Sequence, residues 1–496
     1  MEDLKQRKKN LILFPIGTVG RDMMYNLVTN YLMLFIIFTR QLTAAQLGAI
    51  TAIMVAARVF DALNDPIMGN IIESTRSRWG KFKPWLLIGI LSTSAVIYIV
   101  FNTKLQGWNF IWLFGFFYFA YSITYTMHDI SYWGMVPALS SDADARNQFT
   151  SRATLFAGIG GTLASVLIPM LTTGSMAIGS SATIAYGRIA LVICILGPLF
   201  LFFTIFGVKE NRNYDTKTNE KVSLKKVVKT IAGNDQLVVI AICFLIQQIG
   251  NGIVLGGIGS TYIYFEFGYE GGLYSLFTMV GMSVTALLMI FYPAISRKLP
   301  RKKLMSVLAA IASVGYVLML LPGMVMPQGN MLKFYIVTVG YMLANFGQYG
   351  FYLIMMISIM NTVEYSEYKF GARDEAIIGS LRPFLTKLAS ALTVVITTVT
   401  YLIFRVTSYS NQISELENQA AAGTITDSQK ISQIAQILSD VTAGQSRGLL
   451  LAMTVLPCIL MLVSYFMYQK KYKLDEKEYD RICEEIAKKK QQEQEA

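Results

Sequence analysis

The sequence predicts an all-α membrane protein of twelve transmembrane helices in two six-helix halves, and three observations carry that expectation. Hydrophobic residues make up 54% of the 496 and charged residues only 15%, where a soluble globular chain carries about a quarter charged. Uncharged runs such as 85–103, 304–332 and 448–469 reach the roughly 20 residues a helix needs to cross a bilayer. The basic residues gather in alternate loops, as they do in polytopic membrane proteins.

In lipid the backbone must satisfy its own hydrogen bonds, and runs this long do so as helices. In chain order the expected spans are 12–38, 44–70, 84–102, 108–135, 150–173 and 185–208, then 236–262, 272–296, 302–322, 331–361, 377–405 and 447–468. Twelve is even, so both termini fall on one side. That side holds 31 of the 43 Lys and Arg residues, and the other at most seven. The termini are therefore expected in the cytoplasm, with the chain in the plasma membrane. The net charge of +12 then reflects topology and anionic lipid, and nucleic acid is not an expected partner. No cleavable signal peptide is evident, because the first apolar segment is too long and lacks a small-residue cleavage site.

The seven Lys and Arg residues of 209–232 mark a cytoplasmic linker between an amino-terminal half, 1–208, and a carboxy-terminal half, 233–468. The remainder, 469–496, reads as a charged cytoplasmic tail. A weak repeat supports the division, since the second span of each half ends in a basic loop, Arg76 to Lys83 and Arg297 to Lys303. Paired six-helix halves with a ligand site between them near mid-membrane describe a major-facilitator fold. The polar stretch 406–446 has too few apolar residues to span and is expected to form a short surface helix outside.

Several chemistries are excluded. The four cysteines (Cys194, Cys243, Cys458, Cys483) have no CxxC spacing and imply neither a disulfide framework nor a metal centre. His128 is the single histidine, which removes HExxH and every multi-histidine site, and it reads as a packed bystander. GxSxG and GxxxxGK[ST] are absent, so neither a hydrolase nor an ATP-driven pump is supported, and no cofactor is expected.

What remains is charge inside the spans, which is a functional hypothesis by default. Four acids lie there, Asp22, Asp61, Asp65 and Asp129, all in the first half. Asp61, Asn64 and Asp65 stand at i, i+3 and i+4, hence on one helix face. Two carboxylates and an amide oxygen suit a hard monovalent cation such as Na⁺, or a proton, since crowding raises one carboxyl pKa. The competing reading is that Arg58 pairs with Asp61 and merely holds helices together. In the fourth span Thr126, Asp129 and Trp133 follow at i, i+3 and i+7. A carboxylate beside an aromatic face suits a sugar, which offers hydroxyls and apolar C–H patches. Trp133 also fits an ordinary interfacial aromatic.

Asp61-Ala62-Leu63-Asn64-Asp65-Pro66-Ile67-Met68-Gly69, followed by Thr75-Arg76-Ser77-Arg78-Trp79-Gly80-Lys81-Phe82-Lys83-Pro84-Trp85, closely resembles the glycoside–pentoside–hexuronide:cation symporter family. The likeness continues through Tyr125 to Trp133, Val136-Pro137, Asn361 to Lys369, and Arg373 through Lys387. The resemblance implies a secondary symporter that couples Na⁺ or H⁺ flow to sugar uptake. It implies a cation site at Asp61, Asn64, Asp65 and Thr126, with Lys387 neighbouring it from the second half. Lys387 and Arg58 are the expected coupling residues. It implies sugar contacts at Asp22, Asp129 and Trp133. The family's fifth-span sugar-binding arginine aligns with Thr154, and Arg152 is the nearest arginine. A family member that takes a neutral sugar has glutamine at the position of Arg382 and tryptophan at that of Tyr352. Arg382 therefore suggests an acidic substrate such as a hexuronide, unless it pairs with Glu375. A lipid symporter of the same superfold and a non-transporting sugar sensor are the alternative readings.

Overall fold

The computed structural model describes residues 2–140, 142–209, 230–296, 298–371 and 373–495, and every regular element among them is helical. Most of the expected linker, 210–229, lies outside the described residues. Among the described residues, eleven helices are long and apolar enough to cross a membrane. The expected first span takes another form. α1 (Glu2–Asn26) passes through a π turn, Leu27–Tyr31, into α2 (Leu32–Thr39). This run carries charged residues in its first turns and is then cut by the π turn, so neither piece alone has the length and apolarity of a span.

The other helices follow the expected spans, some within two residues at each end and others one to three turns longer. They are α3 (Ala44–Ser74), α4 (Lys83–Asn102), α5 (Gly107–Gly134), the short α6 (Val136–Leu139), α7 (Ala143–Thr172) and α8 (Ala182–Gly207). Then come α9 (Asp235–Ile253), a second π turn at Val254–Ile258, α10 (Gly259–Phe267), α11 (Gly271–Ser296), α12 (Arg301–Val325), α13 (Met331–Phe370) and α14 (Glu375–Ile403). The chain closes with α15 (Val406–Ala421), α16 (Asp427–Ser439), α17 (Ala443–Lys471) and α18 (Glu476–Glu495). Where the sequence suggests one surface helix at 406–446, there are two. Thr426 starts the second by a capping box with Gln429, each side chain bonding the other's backbone N–H. An equivalent box, Thr43 with Gln46, starts α3.

Two compact units emerge, and they do not follow the sequence halves. The first comprises Met1–Lys217, Ser260–Met279 and Thr397–Ser446. In it α1 lies between α7 and α8, α4 packs on α5 and α8, and α3 on α5. The approach of α1 to α7 requires Gly160, where a Cβ would collide with the Val19 carbonyl. Thr18 Oγ1 donates to the Ala153 carbonyl at 3.1 Å and the Tyr31 hydroxyl to the Ser165 carbonyl at 2.8 Å. Tyr132 stacks on Phe14 at 4.3 Å while its hydroxyl bonds the Phe14 carbonyl. Side chains such as Trp112 and Phe116, 77% and 72% exposed, are free to face lipid.

The second unit comprises Thr218–Gly259, Val280–Ile396 and Arg447–Ala496. Its core is α12 laid along α13, with α9 and α18 also against α13. Gln247 donates to both the side chain and the carbonyl of Gln348, and Arg301 pairs with Glu476 at 3.0 Å. The chain passes from this unit to the first just after the second π turn, where Gly257 has φ of 117°. Only glycine adopts that backbone without strain.

Candidate functional site

The candidate cation ligands come together between α3 and α5. Asp61 and Asp65 are one turn apart on α3, and Ser122 and Thr126 are one turn apart on α5. The facing helices match the two pairs rung for rung. Ser122 Oγ donates to Asp61, and Thr126 Oγ1 donates to Asp65 Oδ1 at 3.1 Å. Asp61 and Asn64 are 5% and 8% exposed, and Asn64 Nδ2 has no hydrogen-bond partner. Thr126 is thus bonded to Asp65, the partner that the family resemblance gives it.

Arg58 lies 3.5 Å from Asp61, so the ion pair and the oxygen cluster coexist. Phenol rings line the same face of α5, with Tyr118 to Tyr121 at 6.2 Å and Tyr121 to Tyr125 at 5.5 Å. No group of three His, Cys, Asp or Glu residues converges among the described residues. The groups gathered here are carboxylate, hydroxyl and amide oxygen, the type that suits a hard cation.

One turn further along α5 stands the second cluster. Arg21 donates through Nε and Nη2 to Asp22 Oδ2, at 3.2 and 2.9 Å, and through Nη1 to Asp129 Oδ1 at 3.0 Å. Its guanidinium lies over the rings of Tyr132 and Trp133, at 4.9 and 5.1 Å. The Arg21 side chain is only 4% exposed, whereas those of Asp22 and Asp129 are 20% and 36% exposed. A planar, permanently charged fork thus sits beneath two carboxylates that keep accessible edges. The aromatic faces of Tyr132 and Trp133 hold that fork in place.

Other expected residues lie elsewhere. Arg152 Nη1 donates to the Leu11 carbonyl at 3.2 Å, and Leu11 precedes Asp22 by eleven residues, about 16 Å of helix. The structure therefore does not bring Arg152 to Asp22. Arg382 and Tyr352 do meet, in the second unit. Arg382 Nη1 is 3.3 Å from the Tyr352 hydroxyl and from Met356 Sδ. The Glu375 side chain lies outside the described residues. Lys387, also in the second unit, accepts at its carbonyl from the Ser390 hydroxyl. His128 is fully buried with both ring nitrogens unpartnered, edge-on to Tyr125 at 4.7 Å, a packed side chain as expected.

Two participants escape the sequence reading. Ser122 shares with Thr126 the i, i+4 step that Asp61 shares with Asp65, and that matched spacing is the available signal. Arg21 reads there only as the neighbour of Asp22. Its bridge to Asp129 spans 108 residues and leaves no local trace.

A family model described as MFS/sugar transport protein matches residues 13–476. A lactose permease of Lactobacillus helveticus is 29% identical over 76% of this chain and 60% of its own length. The chain thus spans less than two thirds of that relative. A glucuronide carrier protein homolog of Escherichia coli is 23% identical, over 77% of this chain and 81% of that protein. Among solved structures, a bacterial homolog of the human lysosomal transporter Spinster, inward-facing and unoccupied, superposes with a TM-score of 0.64. It is 13% identical and covers 94% of this chain and 98% of that one, a likeness of fold alone.

Proposed function

The chain belongs to the MFS/sugar transport protein family, a family of membrane carriers and not of enzymes, and on that premise we propose that it is a secondary active symporter. It couples an inward Na⁺ or H⁺ gradient to uptake of a glycoside or related sugar across the plasma membrane, with both termini in the cytoplasm. The observation that carries this reading is the placement of two clusters on one helix. Thr126 of the oxygen cluster and Asp129 of the Arg21–Asp22–Asp129 cluster are three residues apart on α5, about 4.5 Å of rise.

A cation at Asp61, Asn64, Asp65 and Thr126 offsets the buried carboxylate charge and draws α5 toward α3. That fixes Asp129, and with it Asp22 through Arg21, as acceptors for sugar hydroxyls beside the Trp133 ring. The linkage must be reciprocal, so bound sugar tightens the cation by the same factor. The basic Arg382, beside Tyr352 in the second unit, favours an acidic sugar of the hexuronide kind.

The test is reconstitution into liposomes with imposed Na⁺ or pH gradients and labelled glycosides and glucuronides. Asp65→Cys removes one carboxylate and leaves a neutral side chain. The variant is expected to lose gradient-driven accumulation while keeping sugar exchange in counterflow. Accumulation by the variant at the parent's level would remove the cation assignment.

A further inference from the structure

The segment 406–446 is the largest part of the chain that the symport reading leaves without work. In the first unit its bonds reach residues 39–42 and 180–183. Asn411 closes both backbone groups of Leu42, accepting from its N–H and donating to its carbonyl, each at 2.9 Å. Asn418 Nδ2 donates to the Thr39 carbonyl at 3.2 Å. Each helix of the hairpin also sends one buried titratable side chain to the start of α8. Glu417, with a side chain 1% exposed, accepts from the Ala182 N–H at 2.6 Å. Lys430, 5% exposed, donates to the Ser180 carbonyl at 2.8 Å and neighbours Asp427 and Glu417 at 2.8 and 3.6 Å.

The same face holds further bonds of this kind between segments far apart in sequence. Thr51 meets Thr398 at 2.6 Å and Thr173 meets the Tyr264 hydroxyl at 2.9 Å. Ser275 donates to the Val166 carbonyl at 2.7 Å. When a segment lifts into water these bonds exchange for bonds to water, at a net cost of about 1 kcal/mol each and more for the charged ones. The hairpin is entered through Arg405 at φ 52°, the one non-glycine residue with positive φ among those described. A left-handed arginine is a strained joint, and it stands where α14 gives way to α15.

We propose that the α15–α16 hairpin is a latch on the external face. It hooks residues 39–42 and 180–182 in the conformation seen here and must unhook for sugar to enter from outside. The proposal rests on the transport reading, and on the orientation that places this face outside. A fixed cap would be bonded just as well, and the difference lies in whether it must move.

Two measurements decide the matter. In Leu42→Cys/Asn411→Cys, oxidation is expected to abolish uptake and reduction to restore it, whereas undiminished uptake by fully cross-linked protein overturns the latch. In Asn411→Ala/Asn418→Ala carrying Thr51→Cys, a membrane-impermeant maleimide added outside is expected to label the introduced thiol about fivefold faster or more than in Thr51→Cys alone. An unchanged rate overturns the proposal. Labelling needs no substrate, so its failure is separable from failure of the symport reading. A rate that rises only in inverted vesicles places this face inside and overturns the external latch.

Discussion

Arg21 shows what one side chain can do for a binding surface. A neutral residue there would leave Asp22 and Asp129 to repel one another, while the buried fork holds both within 3.2 Å. Arg382 is the contrasting case, a guanidinium whose contacts are a phenol and a thioether. It keeps donors that match a carboxylate through two parallel hydrogen bonds. Arg382→Gln is expected to weaken inhibition of uptake by glucuronides about tenfold, as loss of a charged hydrogen bond of roughly 1.5 kcal/mol requires, and to leave neutral galactosides unaffected. Neutral glycosides outcompeting glucuronides in the parent would count against an acidic substrate. At this scale the acids were legible because charge in an apolar run stands out. The bond from Arg152 to the Leu11 carbonyl was not legible, because a long flexible side chain can leave the level its helix position suggests.

Between elements, the chemistry depends on which helices face each other. The α3–α5 rungs could be anticipated from matched i, i+4 steps, since helical geometry alone sets them. The π turns could not, because one extra residue in a turn has no compositional signature when its neighbours are apolar. The α15–α16 hairpin carries a titratable element of its own. Burial pushes the Glu417 carboxyl up to about 7 from the usual 4.5, with Lys430 and the Ala182 N–H pulling the other way. A carboxyl raised in the folded state binds its proton more tightly there than in the unfolded chain. Its stabilisation is thus present below about pH 4.5 and is lost as pH rises through about 7. The melting temperature is expected to fall by roughly 2–4 °C between pH 5 and 8 on this account, and Glu417→Gln to flatten the slope. An identical slope in the variant would show that Glu417 is not the titrating group.

For the molecule as a whole, the class and the helical spans were readable because lipid leaves the backbone so few choices. The grouping into units was not, since 260–279 and 397–446 join the first unit through contacts that no window of sequence contains. Orientation rests on the placement of basic residues and is open to a direct check. Protease added to intact cells is expected to spare the tail 470–496, and to remove it in inverted vesicles. The reverse pattern would turn the molecule over. One bond has a bearing on how the protein is made. The N–H and carbonyl of Leu42 wait for Asn411, 369 residues later, which at ribosomal speed is roughly 20–75 s of synthesis. Through that interval an early loop holds an uncovered polar edge, which water can satisfy only on the far side of the bilayer. Nascent chains halted before residue 406 should therefore present this loop to the quality-control machinery as unfinished.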